Sequence, residues 1–181
     1  MKRQTARYFL FLVVFFALIT LLKKWFSLSY WTFWAGGVAG IFFPAIDHIL
    51  YVYLLRPYEL TSQRVQALFK QKKVRWAISL LYDTVEERTT LVFHTAFFQV
   101  IFLVLTFLIV FSSGSRFGRG LVVAASLHLL IDQLDDLLKK DTLDGWFGAN
   151  PFMNSIFLTK EKATIYWLII LGLTLLVSLF L

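Results

Sequence analysis

Five apolar runs dominate this chain, at about residues 8–22, 27–55, 89–111, 121–138 and 163–181. Runs approaching 20 residues match the ~30 Å hydrocarbon core of a bilayer, which a helix crosses at about 1.5 Å per residue. The 20 Phe and 6 Trp exceed what a soluble core of 181 residues could cover without large exposed patches. Mean hydropathy is +0.71 and only 16% of residues are charged, far from a soluble globular balance. The expected fold class is therefore all-α: one polytopic membrane domain, a bundle of about five transmembrane helices. No internal repeat is visible. The absence of Cys removes disulfides, thiolate ligands and cysteine nucleophiles together.

Each run has its own punctuation. The first is short for a full span, so Lys23 and Lys24 are expected to snorkel toward the interface. No small-x-small cleavage site follows them, which argues against a signal peptide. The second carries Gly36 and Gly40 at the GxxxG spacing that lets membrane helices approach closely. Pro44 then interrupts it four residues before His48, freeing backbone groups there. Before the third run, Thr84 and Glu87 fit a capping box, so that helix is expected to begin ahead of the membrane.

Positive charge sets an orientation. With the N-terminus inside, the cytoplasmic segments collect most of the 18 basic residues, leaving Lys23, Lys24, Arg116 and Arg119 outside. The positive-inside rule favours that arrangement. It places the protein in a cytoplasmic (inner) membrane with its N-terminus cytoplasmic and its C-terminus outside.

All three histidines lie inside the apolar runs: His48 next to Asp47, His94 in LVFHTAFF, and His128 four residues before Asp132. An ionisable group in hydrocarbon costs about 2.5–3.5 kcal/mol on insertion scales, so such residues are rarely idle. Asp47 lies nine residues before Arg56, His94 six after Arg88, and Asp132 seven before Lys139. At about 1.5 Å per residue these are depths of roughly 9–14 Å from one membrane face. Three helices thus bring nitrogen and oxygen ligands to one level, the way a metal site is built from distant segments. Candidate ligands are Asp47, His48, His94, His128 and Asp132, with Asp132 or Asp47 also available as a general base. Asp47 and His48 diverge by about 100° on a regular helix. A common centre for both needs a distortion, which Pro44 permits; otherwise His48 bonds a freed carbonyl. Imidazole and carboxylate donors suit a divalent metal, zinc before others. Asp135 and Asp136 continue the stripe toward the cytoplasm, where a solvated helix end explains them equally well.

Two further segments stand out. Over 61–82, Val65, Leu68, Phe69 and Trp76 share one side of a possible amphipathic helix, with Arg64, Lys70 and Lys73 mostly on the other. That pattern suits anionic headgroups along 64–75 as well as a solvated positive loop. Nucleic acid is not an expected partner, because no recognition motif accompanies the charge. Gly145 to Phe152 is aromatic and turn-prone, placed to pack at headgroup level over the mouth of the site.

FFPAIDHIL resembles the PDxDH element of the YdjM-like membrane-bound metal-dependent hydrolases. FHTAFF resembles the tail of their HRGxTHS element, and ASLHLLIDQL resembles GYLSHLLLD. Order and spacing agree over about residues 36–152. The resemblance implies metal binding by Asp47, His48, His94, His128 and Asp132. Ala45 stands where the family has its first acid, the HR pair has no counterpart at the right spacing, and the first span holds no histidine. Those departures leave ligands for one metal rather than two. The expected function is a membrane-embedded hydrolase acting on a lipid or lipid-linked (phospho)ester near the cytoplasmic leaflet. Two other classes use the same residues, a proton or metal-ion transporter and a non-catalytic membrane protein with a decayed hydrolase site. The vertical clustering disfavours transport, since the outer half is nearly uniformly apolar. Oligomeric state is not set by the sequence.

Overall fold

The computed structural model describes residues 2–88, 90–148 and 159–181. Thr89, and Ala149 to Phe152 of the aromatic segment, lie outside them. The described residues are helical, with no strand among them. The helices are α1 (Lys2–Leu22), α2 (Trp31–Phe42), α3 (Ile46–Leu50), α4 (Leu60–Lys70), α5 (Val74–Asp83), α6 (Ala96–Ser112), α7 (Arg116–Lys140), α8 (Asp144–Phe147) and α9 (Lys160–Ser178). The central element is α7, which touches α1, α2, α6 and α9.

Two helical stretches, Leu28–Leu55 and Lys160–Ser178, are long and apolar enough to cross a membrane by length and composition. Five were expected, and the other three fall short for separate reasons. The apolar part of α1 is only Phe9–Leu22. Seventeen residues make up α6, about 26 Å at helical rise, because residues 90–95 are not helical. In α7 the apolar run is flanked within the same helix by Arg116, Arg119, Asp135, Asp136, Lys139 and Lys140. Large apolar side chains are nevertheless about half exposed along α1 (Phe11, Leu18), α6 (Ile101, Leu108) and α9 (Leu168, Ile169).

The expected helix start at Thr84 does not occur. Thr84 Oγ1 donates to Leu80 O at 2.7 Å and accepts from Arg88 Nη1 at 3.0 Å. Only a 3-10 turn, Val85–Glu87, follows. Glu87 is occupied elsewhere, accepting from Thr61 Oγ1 at 2.6 Å. The helix begins instead at Ala96, where Thr95 Oγ1 accepts from Phe98 N at 3.2 Å. That bond satisfies one of the donors a helix start leaves unpaired.

The single amphipathic helix expected over 61–82 is two. Lys72 has φ 58°, and the amides of Lys72 and Lys73 bond back to Phe69 O and Leu68 O at 2.9 Å. This is the left-handed termination that closes a helix. The resulting α4–α5 hairpin closes over Val65, Ala77 and Leu81, with Val52 completing the cluster. Gln66 Nε2 donates to Val52 O at 2.8 Å, serving a carbonyl within the π-helical turn Tyr51–Leu55. Trp76 stays 69% exposed, so it faces away from this small core.

Candidate metal centre

Pro44 shapes the site from below. Across it the backbone switches to i→i−3 bonds, Ile46 N to Phe43 O, Asp47 N to Pro44 O and His48 N to Ala45 O. This tight turn ends α2 and aims α3's two polar residues in different directions. Asp47, fully buried, accepts from Val92 N at 3.0 Å through Oδ1. Its Oδ2 accepts from Phe93 N at 2.6 Å and His94 N at 3.2 Å. A carboxylate buried at this level would be costly alone; successive amides stabilise it. The same bonds pin the non-helical segment ahead of α6 and fix where His94 sits.

His94 is then held from both sides. Its Nδ1 lies 3.0 Å from Asp47 Oδ2, and its Nε2 lies 3.1 Å from Asp132 Oδ2. Asp132 Oδ2 also meets His128 Nε2 at 3.2 Å, across one turn of α7. Donor atoms of His94, His128 and Asp132 all lie within 4.8 Å of one another, a group that could hold a metal ion. Two donors 2.0–2.1 Å from one tetrahedral ion stand about 3.3 Å apart, so the 3.1 and 3.2 Å edges fit such a centre. The three side chains retain 12–17% exposure, buried but not sealed. An apolar cleft lined by Leu12, Ile41, Ala124, Leu127 and Ile131 reaches His128 from the α1 side.

The five expected site residues therefore divide. His94, His128 and Asp132 form the cluster. Asp47 joins it through His94, with its oxygens engaged by that ring and by backbone amides. This is the carboxylate–histidine arrangement that fixes a ligand's tautomer and raises its basicity. His48 lies outside the cluster, its ring 5.6 Å from that of His94, and its Nδ1 faces Arg88 Nε at 3.1 Å. Asp135 and Asp136 turn toward the helix end, 3.6 Å from Lys139 and 2.9 Å from Lys140. Asp136 also accepts from Trp146 Nε1 at 2.9 Å. That bond seats the buried Trp146 ring 5.7 Å from His94, so the described part of the aromatic segment does lie beside the site.

Four participants carry no mark in the sequence reading: Arg88, Gln99, Gln133 and Tyr166. Arg88 was a boundary marker, yet its side chain is buried against His48. Gln99 and Gln133 exchange amide bonds at 3.0 and 2.8 Å, and Tyr166 Oη donates to Gln99 Oε1 at 2.8 Å. Their signal was the one that found the histidines, a polar side chain inside an apolar run. This network ties α6, α7 and α9 together one residue from Asp132. Gln133→Leu strips the amide partner from buried Gln99 and is expected to cost about 1–3 kcal/mol. Gln99→Leu combined with Gln133→Leu should cost less than the two single changes added together. Thermal unfolding of the detergent-solubilised variants checks this, and strict additivity would refute the network.

Compared with protein-family models, curated proteins and solved structures, the chain significantly matches none of them.

Proposed function

We propose that this chain is a multi-pass inner-membrane protein, similar to the YdjM-like hydrolases, with a metal-dependent hydrolytic site opening toward the cytoplasmic leaflet. One observation carries the reading: two imidazoles from different segments converge on one carboxylate oxygen of Asp132. Buried clusters of this donor type are built for metals more readily than for packing. Five membrane passages, an inside N-terminus and an outside C-terminus account for the charge distribution and for the apolar faces of α1, α6 and α9. In this arrangement the short spans of α1 and α6 are met by snorkelling lysines and local thinning.

His94 and His128 would hold the ion through Nε2, with Asp132 as third ligand or as base. Asp47 orients His94. A divalent ion bound there, zinc first by donor type, supplies Lewis acidity toward a phosphoryl or acyl oxygen and acidifies water. Trp146 shields one side of His94 from solvent. The basic α4–α5 hairpin, with Arg64, Lys70, Lys73 and Arg75 exposed beside Trp76, rests on anionic headgroups. The depth of the site selects an amphiphilic substrate, a lipid or lipid-linked ester.

Metal content tests this most directly. Protein purified in detergent without chelator is expected to carry close to one equivalent of zinc. Less than about a tenth of an equivalent would count against a tight site. Hydrolysis of ester or phosphoester lipids in mixed micelles, lost in His128→Ala, tests the reaction. Ion flux into proteoliposomes without hydrolysis would move the assignment to transport.

A further inference from the structure

Arg88 is only 5% exposed, yet every bond it makes ends on a neutral acceptor. Nε donates to His48 Nδ1 at 3.1 Å, Nη1 donates to Thr84 Oγ1 at 3.0 Å, and Nη2 donates to the carbonyl of Leu81. No carboxylate among the described residues forms an ion pair with it. Neighbouring Glu87 instead accepts from Thr61. A guanidinium stays charged at any pH a protein survives, and burying that charge is costly when a carboxylate, Glu87, acts on it only through space and forms no ion pair with it. An arriving anion would offset that charge.

The charge balance says where. Asp47 and Asp132 together offset a dication, so with neutral histidines the loaded site would carry the Arg88 charge in excess. The route from Arg88 to the cluster is His48, whose ring lies 5.6 Å from His94 at 25° between planes. Because Arg88 donates to Nδ1, the neutral His48 ring must carry its proton on Nε2. His48 is thereby fixed as a hydrogen-bond donor beside a positively biased centre.

We propose that Arg88 and His48 form an anion subsite for the phosphoryl group of the substrate, which makes the site selective for phosphoesters over neutral carboxylic esters. This rests on the metal-site reading above. His48 is the contacting group and Arg88 is a positioning residue that sets its tautomer and supplies the charge.

The test uses zinc-loaded protein in bicelles with three probes: orthophosphate in solution, phosphatidic acid doped into the bicelle, and diacylglycerol doped at the same fraction. Nitrogen-15 spectra of the imidazoles are recorded on the unliganded protein. His48 is expected to be protonated on Nε2 alone, and either phosphate source should shift its signals while diacylglycerol does not. Tighter binding of phosphatidic acid than of orthophosphate would identify a lipid headgroup, and the reverse a soluble phosphate; both sustain the subsite. Arg88→Gln should weaken phosphate binding at least about tenfold, as for loss of one charge-assisted contact, with zinc content unchanged. Arg88→Lys should recover part of that loss, which a purely structural role would not allow. Should Arg88→Gln fail to fold, the wild-type tautomer and probe selectivity still decide. The subsite is overturned if His48 carries its proton on Nδ1, or if diacylglycerol binds as well as phosphatidic acid. Zinc binding with no phosphate binding would sink the subsite and leave the metal site standing. Absence of zinc binding would overturn both.

Discussion

Asp132→Ala is expected to reduce zinc affinity by well over 100-fold, more than any other single carboxylate replacement in the chain. The oxygen removed, Oδ2, is the one atom that meets both imidazoles, His94 at 3.1 Å and His128 at 3.2 Å. Losing a residue that only orients a ligand typically costs about 10–100-fold. Asp132 is a ligand candidate as well as the bridge, so its loss should exceed that range. Asp47→Ala should fall inside the range, since Asp47 acts through His94 and its backbone amides. Asp141→Asn is the control. That carboxylate is 65% exposed and pairs with Lys160, and asparagine tolerates the left-handed backbone at φ 58°. Competition titration with a chromophoric chelator gives all three affinities. The ranking Asp132 above Asp47 above Asp141 is the result that counts, and equal losses at Asp47 and Asp132 would show that Asp47 also binds the ion.

How far such a site is readable from the chain can be judged residue by residue. His128 and Asp132 are four apart on one helix, so their pairing follows from helical geometry alone. The likeness in depth of Asp47, His94 and Asp132 is also a local count, and the structure brings these segments together. What no local count contains is the direction of Asp47. Its oxygens are taken by amides of residues 92–94 because the chain ahead of α6 bends around the carboxylate there. That non-helical course conflicts with the helix that the Thr84–Glu87 pattern suggests locally. A local bond from Arg88 to Thr84 and a tertiary one from Thr61 to Glu87 override the capping box. Arg88 itself reads as one more basic residue at a membrane edge until its burial is seen. The hairpin break at Lys72 was similarly hidden, since a non-glycine residue in the left-handed region has no strong sequence mark. Span length is not legible where charged and apolar residues share one helix, as in α7.

Gly36→Ala, Gly40→Ala and Gly120→Ala are expected to be the most damaging glycine-to-alanine changes among the described residues. A Cβ on Gly36 would stand 2.0 Å from Phe117 O, and one on Gly40 would stand 2.2 Å from Leu121 O. Gly120 makes the reciprocal approach from α7, 2.1 Å from Phe33 O. These obstacles are backbone atoms, which cannot swing aside as a flexible side chain would, so α2 and α7 must separate. Overpacking of this kind costs about 1–3 kcal/mol per site. Gly172, on α9, has no heavy atom within 4 Å of its ideal Cβ. Gly172→Ala should therefore be neutral or stabilising by up to about 1 kcal/mol through helix propensity. The α2–α7 seam also fixes the His94–His128–Asp132 cluster, because α7 carries His128 and Asp132 while the chain leaving α2 carries Asp47. Separation of the two helices should pull His94 off Asp132, so Gly40→Ala should lower zinc affinity along with the unfolding temperature. Gly172→Ala should change neither for the worse. A Gly40→Ala protein that is less stable yet binds zinc normally would show that the cluster is held by α6 and α7 alone.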